Sequence, residues 1–386
     1  MDAFTLTSLA LVTILGASIG SFANVVAYRL PLGQSLNNPP SRCPKCERRL
    51  TPLELIPIIS WIALRGRCHS CKTPISPRYP IIETLFALAL LGLALLTQPD
   101  LTNGGELVRY ALQAAALSML LMAALIDLDT KHLPDTLVYG AIAAGLLASL
   151  LPANPAATDV LAQPAGHTLT VALAAAGALA LLERYATLAM RRLKAPTTGL
   201  ITTDHLLLAS TLAALMGPVR ALTITTAIVI IDAKANTRLR VPQALHLALI
   251  PALIALGHAL GKPATATALN TLMAAGAVAL AAGLAWWIND HLSHRRNHTD
   301  ANEEAEEVAL GFGDIKLAAA LATLLPNPTL LLLALLLASF TGTLHSVTTR
   351  QRTLPFGPHL LLGCILAATI GPNILLWYAN ITGVTL

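Results

Sequence analysis

The chain has 386 residues, of which 55% are hydrophobic and only 12% are charged, and its mean hydropathy is +0.66. Soluble domains carry about 25% charged residues, so the composition excludes an ordinary soluble protein. Apolar runs of about 20 residues recur, each long enough to cross a bilayer core of about 30 Å. Aromatic residues are only 4% and Ala and Leu dominate, which favours helices over a β-barrel. The sequence therefore predicts an all-α polytopic membrane protein, and its net charge of +5 does not point to nucleic acid.

In chain order, the first apolar run spans residues 4–26 and lacks a basic leader region, so we interpret it as a retained first helix. A polar insert covers residues 31–79 and carries much of the basic excess, as expected of a cytoplasmic loop. A charged stretch at 289–307 is interpreted as a solvated loop. The remaining apolar segments predict about 10–12 transmembrane segments in all; they lie at 80–98, 107–126, 136–152, 166–186, 204–217, 218–231, 243–260, 266–288, 314–326, 328–346 and 356–378.

Four of the five cysteines form two CxxC pairs in the polar insert, Cys43 with Cys46 and Cys68 with Cys71. Each pair can chelate one ion from a tight turn, and four thiolates make the closed tetrahedral site of a structural zinc ion. The odd cysteine count argues against a disulfide framework and for a reduced, cytosol-facing module. The alternative is a loop with four unligated thiols.

Acidic residues stand at the ends of two apolar runs. The first motif is Ile126-Asp127-Leu128-Asp129, followed by Leu133-Pro134-Asp135, and the second is Gly311-Phe312-Gly313-Asp314-Ile315-Lys316. Carboxylates at a membrane edge are costly, which makes them candidates for function. Two of them on separate helices can share one proton and activate a water, the chemistry of an aspartic protease. The alternative is an N-cap role for Asp314 and an interfacial charge at Asp127.

Together these motifs resemble, in order, those of type IV prepilin peptidases, a family of GxGD-type aspartic endopeptidases that also N-methylate their products. The resemblance rests on the two CxxC pairs, the two acidic motifs, and four further segments: Gly20-Ser21-Phe22-Ala23-Asn24-Val25-Val26, Leu64-Arg65-Gly66-Arg67, Ile75-Ser76-Pro77-Arg78-Tyr79-Pro80 and Pro355-Phe356-Gly357-Pro358.

The resemblance implies an enzyme of the bacterial cytoplasmic (inner) membrane. It would cleave the basic leader of type IV prepilins and pseudopilins at the cytosolic face, and methylate the new amino terminus with S-adenosylmethionine. Its partners would be these substrates and the lipid bilayer, and its metal a structural Zn²⁺. The resemblance assigns catalysis to Asp127 and Asp314, with active-site support from Gly311, Gly313, Lys316, Asp129 and Asp135.

The resemblance also implies a domain division. Residues 1–30 would form the first transmembrane helix, residues 31–80 the zinc-binding module associated with methylation, and residues 81–386 the multi-helix peptidase domain.

Asp127 and Asp314 are 187 positions apart, farther than is usual in the family, which predicts an internal duplication. The first copy pairs Asp127 with Asp204 and the second pairs Asp232 with Asp314, at spacings of 77 and 82 positions. Each copy has lost one motif, because Asp204 lacks the preceding glycine and Asp232 precedes Val-Pro-Gln in place of Leu-Pro-Asp. We therefore predict that residues 136–235 are a degenerate segment and that Asp127 acts with Asp314.

Two other functions stay open. The chain has no Rossmann glycine fingerprint for S-adenosylmethionine, so it can be a peptidase that does not methylate. It can also be a non-catalytic membrane scaffold or transporter, in which the duplication builds a repeat interface.

Overall fold

The computed structural model describes residues 3–154, 163–189, 201–235, 240, 242–293, 312–350 and 354–382. Within these ranges the structure is helical and contains no β-strand, only two isolated β-bridges in the polar insert. This confirms the predicted all-α class.

The chain forms two compact units. The first comprises Met1–Ala165 and Asn327–Leu386, and the second Gly166–Pro326. The helices of the first unit are α1 (Ala3–Arg29), α2 (Ile59–Ala63), α3 (Arg78–Thr97), α4 (Gly104–Thr130), α5 (Asp135–Ser149), α12 (Pro328–Thr349), α13 (Phe356–Thr369) and α14 (Gly371–Thr382). Those of the second are α6 (Ala165–Ala189), α7 (Thr203–Met216), α8 (Pro218–Ala235), α9 (Gln243–Ala259), α10 (Ala264–Ser293) and α11 (Phe312–Leu324).

Among the described residues, six helices are long and apolar enough to cross a membrane, namely α1, α3, α4, α6, α10 and α12. Helices α13 and α14, bent by 66°, count as a seventh span if they are taken together. Helices α5, α7 and α9 are apolar but shorter, with 15, 14 and 17 residues. The predicted number of 10–12 is higher because it counted such short segments as spans, although crossing a bilayer takes about 20 residues. The lengths and composition are those of a multi-pass membrane protein.

Glycines set the close approach of α1 to α3 in the first unit. A Cβ atom at Gly16 would lie 2.8 Å from the Cα of Ala87, and one at Gly20 would lie 2.7 Å from the Cα of Glu83. Small residues allow helix backbones to pack this closely inside a membrane. The crossing holds α1 against α3. The polar insert connects these two spans.

Two further packing relationships position aspartates named above, Asp127 in the first unit and Asp204 and Asp232 in the second. In the first unit, α4 packs against α5 and α13, so the C-terminal end of α4 lies beside the start of α13. In the second unit, α7 packs against α8, α9 and α10. A Cβ at Gly276 in α10 would lie 1.9 Å from the carbonyl oxygen of Leu173 in α6, so this crossing also depends on glycine.

Candidate functional site

The four cysteine sulfurs of the polar insert form one cluster. All four lie within 4.8 Å of one another, with Cys43 Sγ 3.7 Å from Cys71 Sγ and Cys46 Sγ 4.0 Å from Cys68 Sγ. A tetrahedral zinc ion with metal–sulfur distances of about 2.3 Å holds its sulfurs about 3.8 Å apart. The observed sulfur separations therefore fit a four-thiolate zinc site.

Each CxxC pair sits on the same kind of turn, so the two halves of the cluster are alike. Cys43 N–H donates to the carbonyl of Arg48 at 3.0 Å, and Cys68 N–H donates to the carbonyl of Thr73 at 2.9 Å. The residue after the second cysteine of each pair, Glu47 or Lys72, has a left-handed φ of 55° or 58°. These turns direct both sulfurs of a pair to one point, as chelation requires.

The backbone and the neighbouring thiols shift the pKa values within the cluster in opposite directions. Hydrogen bonds from the backbone N–H groups of Cys46 and Lys45 lower the pKa of Cys43 to about 6. The backbone N–H of Thr73 lowers the pKa of Cys71, but burial and the other thiols outweigh it and raise that pKa to about 11. Four thiols this close together cannot all ionise alone, and a bound cation would compensate for their charge.

Asp127 lies in the last turn of α4 with only 5% of its surface exposed. Its Oδ2 accepts a hydrogen bond of 3.1 Å from the backbone N–H of Gly357, at the start of α13. The helix ends just beyond it, because Lys131 adopts a left-handed conformation with φ 56° and its N–H donates to the carbonyl of Asp127. The structure thus joins the first acidic motif to the Pro355-Phe356-Gly357-Pro358 motif.

Asp129 and Asp135 do not share the surroundings of Asp127. The carboxylate of Asp129 forms a two-point ion pair with the guanidinium of Arg78 at the start of α3, including an Nη1–Oδ1 hydrogen bond of 3.0 Å. This pair was not predicted from the sequence, although both residues belong to motifs of the resemblance. Asp135 is the first residue of α5 and is half-buried.

The second acidic motif lies at the start of α11. Gly313 and Asp314 are half-buried in the first turn of this helix, and Lys316 is only 4% exposed. A buried lysine is almost always paired with polar or charged neighbours in proteins. Gly311 lies outside the described residues, as does most of the charged stretch at 289–307.

The second unit holds the two remaining aspartates of the predicted duplication, and each has a polar neighbour. His205, 1% exposed, points its Nε2 at Asp232 Oδ2 over 3.4 Å, and Asp204 Oδ1 accepts a 3.2 Å hydrogen bond from Gln243. The backbone N–H of Thr202 donates to His205 Nδ1 at 3.1 Å, so the ring proton of the neutral imidazole sits on Nε2, which lies near Asp232 without forming a hydrogen bond. The contact of His205 was not predicted from the sequence. Its only local signal is its position directly after Asp204.

Two family models match the chain. One, described as the bacterial peptidase A24 N-terminal domain, matches residues 14–97, and the other, described as the type IV leader peptidase family, matches residues 219–347. Together they cover just over half of the sequence. The first match contains all four clustered cysteines. The second contains Asp232 and Asp314 but not Asp127.

Curated relatives align with part of the chain. A "Type 4 prepilin-like proteins leader peptide-processing enzyme" of Escherichia coli O78:H11 is 38% identical over 163 residues, covering 38% of this chain and 58% of the relative. A "Prepilin leader peptidase/N-methyltransferase" of Myxococcus xanthus is 40% identical over 133 residues, covering 34% of this chain and 38% of the relative. A protein of the same name from Dickeya chrysanthemi is 39% identical over 160 residues, covering 36% of this chain and 54% of the relative. The chain thus spans about half the length of the curated relatives it matches. No solved structure matches it.

Proposed function

We propose, since this chain belongs to the type IV leader peptidase family, that it is a membrane aspartic endopeptidase that removes the leader of type IV prepilins and pseudopilins and then N-methylates the new amino terminus. The observation that carries this proposal is the occurrence of both family matches in one chain, with relatives named for both activities. The enzyme would act at the cytosolic face of the bacterial inner membrane.

The peptidase step needs two carboxylates, for which we propose Asp127 and Asp314. One takes a proton from the attacking water, and the other, protonated, gives its proton to the carbonyl oxygen of the scissile peptide. The tetrahedral intermediate then collapses and the C–N bond breaks. The leaving amine takes up the proton that the first carboxylate removed from water, and the hydroxyl proton of the intermediate returns to the second carboxylate. Asp127 is buried at the end of a membrane helix. A carboxylate in such a position costs free energy, so its presence there supports a functional role.

The neighbours of these aspartates would act as supports. Arg78 would hold Asp129 in place at the C-terminal end of α4, and Lys316 would supply positive charge near Asp314. Gly311 and Gly313 would let a substrate strand approach the backbone closely. Asp135 would hold the start of α5 beside the first motif.

A second assignment of the first carboxylate has one observation in its favour. The match to the leader peptidase family spans residues 219–347 and so contains Asp232 with Asp314. Two observations count against Asp232. It is paired with the buried His205, and residues 232–243 lack the Leu-Pro-Asp sequence that follows Asp127. We therefore favour Asp127, and assign Asp204 and Asp232 to a degenerate counterpart that serves packing.

The cysteine module would belong to the methylation half of the function. Cys43, Cys46, Cys68 and Cys71 would hold Zn²⁺ as a structural ion, since four thiolates leave no open position for catalysis. S-adenosylmethionine would supply the methyl group, as the names of the relatives imply. We propose residues 31–80 as this module and residues 81–386 as the peptidase domain.

One experiment separates the alternatives. The purified protein is incubated with a prepilin and with S-adenosylmethionine carrying a labelled methyl group, and leader cleavage and label transfer are followed together. The proposed enzyme does both. Cleavage without label identifies a peptidase that does not methylate, and neither reaction, in a protein that is folded and embedded in lipid, identifies a scaffold or transporter.

A further inference from the structure

The polar insert presents an apolar surface outside the spanning helices. A 3₁₀ turn at Pro52–Leu55 and the short helix α2 form a segment, residues 52–63, that we call the apolar segment. Leu53, Ile59 and Ile62 in it are 75%, 65% and 62% exposed. Large aliphatic side chains grouped this way, in a module otherwise rich in charge, mark a contact surface.

A buried carboxylate ties this segment to a spanning helix. Glu83 in α3 is 6% exposed, and its Oε2 accepts a hydrogen bond of 2.6 Å from the backbone N–H of Ile58. Glu83 is the sixth residue of the helix, so it lies about 7.5 Å along the axis from the first residue, Arg78. The 20 residues of α3 are just enough to cross a hydrocarbon core of about 30 Å, so Arg78 lies near the level where lipid headgroups meet acyl chains. Ile58, bonded to Glu83, then lies within about 5–10 Å below that level, the depth that interfacial segments occupy.

The backbone at the attachment point is specific. Ile58 has φ 63° and ψ −55°, and the next N–H, of Ile59, donates to the carbonyl of Pro57 at 2.5 Å. This is a tight three-residue turn that a β-branched residue rarely adopts. Such a conformation persists only where surrounding contacts fix it, and the bond to Glu83 is such a contact. The apolar segment is therefore held at this height and in this direction.

The residues around the segment suit a membrane interface. Tyr28 at the end of α1 is 67% exposed and Tyr79 at the start of α3 is 49% exposed, both in the positions where tyrosine marks the headgroup level. Arg49, Arg65 and Arg67 are also exposed. Cations beside an apolar surface favour binding to anionic lipids.

We propose that residues 52–63 are an interfacial anchor that inserts Leu53, Ile59 and Ile62 into the lipid leaflet on the side of the cysteine module, next to anionic headgroups. The anchor and the Glu83 hydrogen bond together hold the module flat against the membrane. This proposal does not depend on the enzymatic activity.

Photo-crosslinking of the full chain in nanodiscs that contain phosphatidylglycerol tests this proposal. The photoreactive residue p-benzoylphenylalanine replaces Ile62 in one variant and His69, an exposed polar residue of the same module, in a control variant. Mass spectrometry then counts lipid adducts. An inserted anchor gives at least about fivefold more lipid adduct at position 62 than at position 69. Equal yields, or adducts at position 62 with a second copy or an added prepilin instead of lipid, overturn the proposal.

A second measurement keeps the test valid if the variant misfolds. In the unaltered chain, Trp61 lies in α2, and its fluorescence is compared with that of the Trp61→Phe variant to isolate its signal. Lipids brominated near the headgroup end of the acyl chain quench that signal if the segment is inserted. Lack of quenching overturns the proposal.

Discussion

The carboxylate of Asp127 accepts a hydrogen bond from the backbone N–H of Gly357, a residue 230 positions away in sequence. The bond brings the end of α4 to the start of α13 and fixes the direction of a buried carboxylate. An asparagine in place of Asp127 retains a carbonyl oxygen that can accept the same bond. The Asp127→Asn substitution therefore removes the ionisable carboxyl group but can keep the hydrogen bond to the N–H of Gly357.

The ion pair between Asp129 and Arg78 is expected to position Asp127 and not to react itself. Both side chains are partly exposed, so its contribution to stability is small, about 0–1 kcal/mol. We expect Asp129→Asn and Arg78→Lys each to lower the kcat/KM of leader cleavage several-fold, with the double variant no worse than either single one. Losses that multiply in the double variant would contradict a role for the pair as a unit.

The cysteine cluster is expected to bind about one zinc ion per chain. Cys43→Ser combined with Cys46→Ser removes two of its four ligands, so we expect the zinc content to fall to background and residues 31–80 to become protease-sensitive. Methylation should suffer at least as much as cleavage. The control is Cys364→Ala, which changes a buried cysteine of α13 outside the cluster and should leave the zinc content unchanged. Full zinc content in the double variant would refute the site.

The crossing of α1 and α3 is expected to depend on Gly20. A methyl group at Gly20, in α1, meets the Cα of Glu83, in α3, at 2.7 Å. A methyl group at Gly92, also in α3, meets nothing within 4 Å. We expect Gly20→Ala to destabilise the protein by about 1–3 kcal/mol through overpacking, and Gly92→Ala to be neutral or slightly stabilising. Thermal unfolding of both variants in the same detergent measures the difference, and equal midpoints would show that the crossing tolerates a side chain.

His205 is expected to be structural. It is 1% exposed and lies between Thr202 and Asp232, so His205→Ala leaves a cavity and an unsatisfied polar group that cost about 2 kcal/mol or more. Asp204→Asn keeps an oxygen for Gln243 and should be nearly neutral. Because neither residue is assigned to catalysis, kcat should hold in both variants at a temperature where both are folded. A loss of kcat without loss of stability in His205→Ala would assign it to the active site.

The sequence predicted the helices well, because long apolar runs determine them. Its segments 80–98, 107–126 and 328–346 correspond to α3, α4 and α12 within a few residues. It predicted one helix over 356–378, which the structure breaks into α13 and α14 at a bend of 66°. Hydropathy does not register such a bend, because the residues on both sides of it are apolar.

The site was predictable only in part, because composition and spacing do not encode contacts between distant residues. The CxxC spacing indicated the cysteine cluster, whose sulfur geometry the structure supplies. The link of Asp127 to Gly357 and that of Glu83 to Ile58 depend on tertiary packing and left no local signal. The pairing of Asp127 with Asp314 stays a prediction.

We propose that Asp127 and Asp314, and not Asp232, are the catalytic carboxylates. The direct test is the rate of leader cleavage by Asp127→Asn, Asp314→Asn and Asp232→Asn, each purified in the same lipid and checked for equal thermal stability. Loss of a general acid or base costs about 10²–10⁴-fold, so the first two variants should fall by at least that much while Asp232→Asn keeps most of its rate. Near-normal cleavage by Asp127→Asn together with inactivity of Asp232→Asn would rule out Asp127 and assign the reaction to Asp232 and Asp314.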